Sequence, residues 1–191
     1  MTTRTQPLLN DQSFKRNKPS LLLDIDGVVV QYDFNKIVKE HFGVDISRFT
    51  IYAYDLADWL GVSQNAIDDM FREQVWGTPI FIDNALDVLQ KIKPCYNIVV
   101  FSNRVKFMGY FGLLEWLLKW GIPFDGIDVN GEGCYDYHID DRPKKLLETD
   151  SKMKLLFNQT WNAGCLDIEH RLKRVYTWEE VYNEVAFGWM P

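Results

Sequence analysis

The feature that most constrains this chain is Leu21-Leu22-Leu23-Asp24-Ile25-Asp26-Gly27. A short apolar run closed by glycine predicts a buried strand ending in a turn. Period-two geometry then sends the carboxylates of Asp24 and Asp26 to one side of that end, while Ile25 points into packing. Two carboxylates at the end of a buried strand are costly unless they are paired, hydrogen-bonded or metal-bound. The fold must therefore supply this strand end with a paired charge, hydrogen-bond donors or a metal ion.

Further runs have the same form. Asn97-Ile98-Val99-Val100-Phe101-Ser102-Asn103 is β-branched and then polar. Tyr135 to Asp141 places Ile139 before Asp140-Asp141. Leu155-Leu156-Phe157 reads as a fourth strand, and Gly126-Ile127-Asp128-Val129 as a short additional one. Helical patterns separate them. Asp83 is positioned to cap a helix carrying Leu86, Leu89 and Ile92, which ends at Pro94. Phe107 to Trp120 is apolar and stops at Gly121. Thr177 and Glu180 form a capping box that opens a last helix running through Val185. Strands alternating with helices predict an α/β fold, a parallel sheet covered on both faces.

Residues 32–80 differ. Their readable pieces, Phe34 to His41 and Ser63 to Val75, are helical, and no convincing strand appears among them. The expectation is a small helical insert, or cap, after the first strand, with the core formed by residues 20–31 and 81–191. Phe49, Tyr52, Tyr54, Trp59, Phe71 and Trp76 would supply the insert with its own miniature core, as a lid over a site requires. Phe49, Tyr52 and Trp59 could equally stack a base. Residues 1–19, polar and carrying Arg4, Lys15, Arg16 and Lys18, read as a flexible tail. A phosphate-attracting arm is the alternative.

Composition narrows the function. With 47% hydrophobic and 25% charged residues the chain is globular, not disordered. Its 21 basic and 27 acidic residues give a net charge of −6, which disfavours wrapping of duplex nucleic acid. Cys95, Cys134 and Cys165 are odd in number and widely spaced, so neither a disulfide framework nor a structural zinc site is expected. There is no run of about 20 apolar residues and no signal-peptide pattern, so no membrane partner is expected and the predicted compartment is cytoplasmic. His41, His138 and His170 have no ligand spacing. His138 shares strand parity with Asp140 and could face the site, but its simplest reading is a satisfied core histidine. Trp161 and Trp178 read as packing anchors. Oligomeric state is not legible.

Asp24, Asp26, Asp140 and Asp141 at one sheet edge would form a hard-oxygen site suited to Mg²⁺. Alone, Asp140-Asp141 before Arg142-Pro143 could instead cap the next helix. Ser102 offers a hydroxyl for a phosphate oxygen, or a turn cap.

The segments D-I-D-G-V (24–28), F-S-N (101–103) and I-D-D-R-P (139–143), in this order, resemble the haloacid dehalogenase superfamily of phosphohydrolases. The resemblance spans roughly residues 20–185. It implies a three-layer, Rossmann-like core with a cap inserted after the first strand. A narrower resemblance, to 5'(3')-deoxyribonucleotidases and their bacterial and phage relatives, rests on residues 155–162 and 174–181, on the helical cap and on Gly77-Thr78-Pro79. By resemblance, Asp24 is the nucleophile that forms an aspartyl-phosphate, and Asp26 protonates the leaving alcohol and then activates water. Asp24, the main-chain carbonyl of Asp26 and the Asp140-Asp141 pair would hold Mg²⁺. Ser102 and Asn103 would meet the phosphoryl group.

One departure stands out. The superfamily places a lysine shortly before the Asp-Asp strand, whereas this chain reads Asn130-Gly131-Glu132-Gly133-Cys134-Tyr135-Asp136. Arg104 and Lys106 are the better substitutes for that charge, ahead of Arg142 and Lys144. The implied function is an Mg²⁺-dependent phosphomonoesterase acting on a small-molecule phosphomonoester, a nucleoside monophosphate being preferred. The alternatives are a phosphatase of sugar phosphates or polynucleotide 3' ends, and a catalytically weak binding or regulatory protein lacking the lysine.

Overall fold

The computed structural model describes residues 18–46, 56–165 and 172–187. In chain order the elements are β1 (Ser20–Leu23), β2 (Val30–Gln31), α1 (Phe34–Phe42), α2 (Leu56–Leu60), α3 (Gln64–Gln74), β3 (Ile80–Phe81), α4 (Ala85–Ile92), β4 (Asn97–Val100), α5 (Val105–Lys119), β5 (Gly126–Ile127), β6 (Cys134–Asp140), α6 (Pro143–Glu148), β7 (Asp150–Phe157), β8 (Lys173–Val175) and α7 (Trp178–Phe187). Six strands form a parallel sheet in the order β5-β4-β1-β6-β7-β8. The chain winds outward from β1 through β4 to β5 and then crosses back to β6. The carboxyl end of β1 therefore lies at the point where the strand order reverses, the place where open α/β sheets bind ligands.

Alternation sorts the side chains. Leu21, Leu23, Ile98, Val100, Tyr137, Ile139, Leu155 and Phe157 occupy one face, packed with the apolar sides of α4, α5 and α7. Leu156 lies on the other face with Leu146 of α6 and Leu172. Helices thus cover both faces, as the sequence predicts. A separate cluster joins Ile37 and Val38 of α1, Ile46, Leu56 and Ala57 of α2, and Ile67 and Met70 of α3. Among the described residues, no helix is long and apolar enough to cross a membrane.

Several local expectations change. Asp83 does not cap α4. Asn84 takes the cap position in left-handed conformation and makes no side-chain cap bond. Helix α5 starts at Val105 rather than Phe107 and is broken at Gly109 (φ 68°, ψ 173°). Strand β7 starts five residues before Leu155, and β8 is an added edge strand. The β2–β3 ribbon, pairing Val30 with Phe81 and Gln31 with Ile80, is too short to leave a periodic signal. The capping box of α7 is present in part: Glu180 N–H donates to Thr177 Oγ1, but the Glu180 carboxylate accepts from Tyr176 N–H. Phe49, Tyr52, Tyr54, His170 and residues 1–17 lie outside the described residues.

Candidate active site

Asp24 directly follows β1, and its N–H continues the sheet by donating to Ile139 O at 3.0 Å. Asp140 ends β6, the neighbouring strand, and Asp141 is the next residue. One carboxylate oxygen from each of Asp24, Asp140 and Asp141 lies within 4.8 Å of the others, and all three residues are buried. Gly27 makes this approach possible. Its φ of 80° suits glycine, and a Cβ there would stand 2.6 Å from Asp141 Oδ2.

The electrostatics of this cluster are unbalanced. Burial, reinforced by Asp140, pushes the Asp24 carboxyl well above the usual carboxylate range, and Arg142 pulls it back only in part. Asp141 is raised by the same two causes, against Arg142 and a Trp161 hydrogen bond. Arg142 places Nη2 3.8 Å from Asp24 Oδ2 and Nε 3.5 Å from Asp140 Oδ1. One guanidinium beside three buried carboxylates leaves negative charge uncompensated. An all-oxygen donor set with surplus negative charge fits a hard divalent cation.

Asp26 is placed differently from the sequence expectation of four converging side chains. Its carboxylate turns to Arg104, which donates through Nε at 3.0 Å and 3.1 Å and through Nη2 at 2.9 Å. The Tyr32 hydroxyl also donates to Asp26 Oδ1, at 2.6 Å. Asp26 is not part of the Asp24, Asp140 and Asp141 cluster, although its charge adds to the upward push on Asp24. Burial and Asp26 push the Tyr32 hydroxyl far up. Arg104 is 2% exposed, caps the Val75 carbonyl through Nη1 at 2.8 Å and sits 3.8 Å from the Trp116 ring centroid. Arg104 is therefore committed to Asp26, and Arg142 is the cation beside Asp24. This is the reverse of the order that their places in the sequence suggest, Arg104 ahead of Arg142.

A cavity of about 420 Å³ opens above the carboxylates. Its floor includes Asp24, Asp26 and Asp141, and its apolar walls include Phe34, Phe71 and Trp161. Asn103 and Lys106 also line it, as does Arg104. Ser102 does not. Its Oγ accepts from Arg104 N–H at 3.2 Å and lies 3.5 Å from Asp26 Oδ2, so it acts first as a turn cap.

Trp161, a packing anchor on sequence grounds, and His138, a core histidine sharing parity with Asp140, both lie against the carboxylates. Trp161 donates through Nε1 to Asp141 Oδ2 at 2.6 Å, and its ring meets Phe34 of α1 edge-on at 5.4 Å. The available signal was its place after the polar stretch Asn158-Gln159-Thr160 instead of within an apolar run. His138 lies one pleat before Asp140, fully buried, with Nε2 3.6 Å from Asp140 Oδ2. Behind the site, Asn162 Nδ2 donates to the carbonyls of Asp141 and Phe157, each at 2.8 Å, fixing the turn after β7 against β6.

No protein-family model matches the sequence, and no curated protein is significantly similar to it. Solved structures do match in fold. A haloacid dehalogenase-like family hydrolase from Streptococcus pneumoniae superposes with a TM-score of 0.59 at 12% identity, covering 90% of this chain and 98% of its own. An L-2-haloacid dehalogenase superposes with a TM-score of 0.51 at 10% identity, covering 89% and 99%. The architecture is therefore the haloacid dehalogenase-like, Rossmann-type α/β fold that the motifs imply.

Proposed function

We propose that this chain is a divalent-cation-dependent phosphomonoester hydrolase working through an aspartyl-phosphate on Asp24. The observation that carries the reading is the convergence of Asp24, Asp140 and Asp141 beneath the cavity. A phosphoryl dianion approaching a carboxylate meets like charge, and a buried hard-oxygen site is a direct means of offsetting it. Asp24, the Asp26 carbonyl and the Asp140-Asp141 pair would hold Mg²⁺. When bound, the ion supplies charge neutralisation and alignment for in-line transfer.

The protein groups do the rest. An Asp24 oxygen forms the new bond to phosphorus as the ester oxygen leaves, and Asp26, having taken a proton from solvent once turned from Arg104, gives that proton to the leaving oxygen. Water then attacks phosphorus, Asp26 takes the water's proton, and Asp24 is released as a carboxylate. For either transfer Asp26 must swing from Arg104 and Tyr32 toward the cavity that it lines. Arg142 steadies Asp24 from the side. Asn103 and Lys106 meet the phosphoryl oxygens, and Ser102, whose Oγ accepts from Arg104 N–H and donates to Asp26 Oδ2 at 3.5 Å, has its proton released for the phosphoryl group when Asp26 swings away. Helices α1 to α3 with their separate cluster act as the cap over the reaction, and the sheet and its helices as the core. The aromatic wall favours a leaving group with a flat apolar face, which supports a nucleoside monophosphate over a sugar phosphate.

A second reading, a binding or regulatory protein with little turnover, is supported by the tight engagement of Asp26 and by the lack of a lysine before β6. Both are tested by phosphate release from nucleoside monophosphates, sugar phosphates and p-nitrophenyl phosphate, with Mg²⁺ or chelator, beside Asp24→Asn. A 2-haloacid is added because one structural neighbour is a dehalogenase. Mg²⁺-dependent phosphate release, highest with a nucleotide and abolished in the variant, is the expected result. Halide release would overturn the phosphatase reading, and folded protein without turnover would favour the binding reading.

A further inference from the structure

We propose that His138 is a positioning residue for the carboxylate cluster: its Nε2–H holds the second oxygen of Asp140 while Thr149 anchors the ring from behind. The inference rests on the cation site proposed above. His138 and Asp140 are two residues apart on β6 and so share a face of the sheet. On that face His138 lies between Leu22 of β1 and Lys154 of β7, whose Nζ donates to the Thr149 carbonyl at 2.8 Å, and Leu156 of β7 lies opposite Asp140. His138 is wholly buried, and a buried imidazole is expensive unless its nitrogens are used.

Nδ1 is used: it lies 2.7 Å from Thr149 Oγ1. Nε2 lies 3.6 Å from Asp140 Oδ2, and neither atom has any other hydrogen-bond partner. Two orphaned polar atoms facing each other in a dry interior are satisfied together by a shift of a few tenths of an ångström. The hydrogen positions follow from the network. Thr149 has one hydroxyl proton. The nearest acceptor is His138 Nδ1, ahead of the carbonyls of Leu146 at 3.2 Å and Lys145 at 3.4 Å. With Thr149 donating to Nδ1, the ring hydrogen sits on Nε2 and points at Asp140.

The consequence is orientational. Asp140 Oδ1 accepts from Arg142 N–H at 2.7 Å, which leaves Oδ2 as the free end of a group whose terminal torsion is soft. Holding that end fixes the plane of the carboxylate beside Asp24 and Asp141. Partners of this kind, behind the ligands themselves, set cation affinity by 10–100-fold.

The test titrates Mn²⁺ into wild type, His138→Gln and His138→Asn, read by electron paramagnetic resonance, with thermal unfolding of the ion-free proteins alongside. Gln reaches as far as Nε2 and carries an N–H there. Asn reaches only to the Nδ1 side. Both variants are expected to lose thermal stability, but only His138→Asn should lose Mn²⁺ affinity, by about 10–100-fold. Thr149→Val keeps the ring and removes its anchor, and is expected to weaken Mn²⁺ several-fold. If His138→Asn does not fold, unchanged affinity in Thr149→Val overturns the proposal. Wild-type affinity in His138→Asn, or equal losses in Gln and Asn, also overturns it alone. No Mn²⁺ binding by wild type overturns the cation reading and this inference with it.

Discussion

Arg104 illustrates how one side chain couples separate parts of the chain. Its guanidinium bridges Asp26 at the end of β1, Tyr32 after β2, the Val75 carbonyl after α3 and the face of Trp116 on α5. Nε and Nη2 hold Asp26, Nη2 also reaches Tyr32, Nη1 the Val75 carbonyl, and the flat face meets Trp116, so lysine cannot replace it. Burial alone would lower its affinity for the proton, and Asp26 and Tyr32 together more than offset that. Arg104→Met is expected to destabilise the fold by about 3 kcal/mol, because it strands Asp26 without its cation. Urea denaturation measures this, and adding Asp26→Asn should recover part of the loss. A loss below about 0.5 kcal/mol would mean the pair is no stronger than a surface contact. Sequence showed an arginine near a strand end, but not which carboxylate it would choose.

At the scale of elements, the loop between β5 and β6 occupies the stretch where a lysine was expected. The loop is organised by Asp128 instead. Its carboxylate accepts from the N–H groups of Asn130 and Gly131 at 2.9 Å each and of Gly133 at 3.4 Å, and from the Tyr135 hydroxyl at 2.7 Å. Burial works against its charge, but these donors outweigh burial and hold the Asp128 carboxyl below the usual carboxylate range. A carboxyl depressed on folding stabilises the native state above its unfolded value of about 4 and loses that contribution as pH falls through the lower, folded value. Asp128→Asn should therefore be less stable than wild type at neutral pH, with the gap closing below about pH 4. Melting temperature against pH reads this directly, and a constant gap would rule out the carboxylate's charge as the cause. Elements of this kind were only partly legible. The cores of β1, β4, β6 and β7 carry local apolar patterns, whereas β2, β3 and β8 hold two or three residues each, below what any period can register.

At the scale of the whole molecule, the fold tolerates an electrostatic fault at its centre. Asp24, Asp140 and Asp141 repel one another in a buried site with one arginine at hand. The ion-free protein is therefore expected to gain from losing one of these charges. Asp141→Asn should melt higher than wild type without divalent ions and lower than wild type with them. For wild type, Mg²⁺ at about 100 times its dissociation constant adds about 2.7 kcal/mol, or about 5–11 °C in melting temperature for a chain of this size. Differential scanning calorimetry with Mg²⁺ and with chelator measures both effects. A wild-type melting temperature indifferent to Mg²⁺ would remove the cation from the site.

The sequence by itself determined the layered α/β plan and the carboxylates at the ends of its strands. Both follow from local patterns: apolar runs of strand length, helical spacing between them, and acids placed where a buried run stops. The requirement for Gly27 after Asp26 belongs to the same local logic, although the reason for it, the 2.6 Å approach to Asp141, is tertiary. Only the tertiary structure decided the partners. Arg104 went to Asp26 and Arg142 to Asp24, Trp161 reached Asp141, and His138 was set against Asp140. The pairs Arg104–Asp26, Arg142–Asp24 and Trp161–Asp141 join residues 20 or more positions apart, and a charge or donor takes whichever neighbour the packed strands bring within about 4 Å. His138 is close to Asp140 in sequence, but its use depends on α6 delivering Thr149 to the far side of the ring.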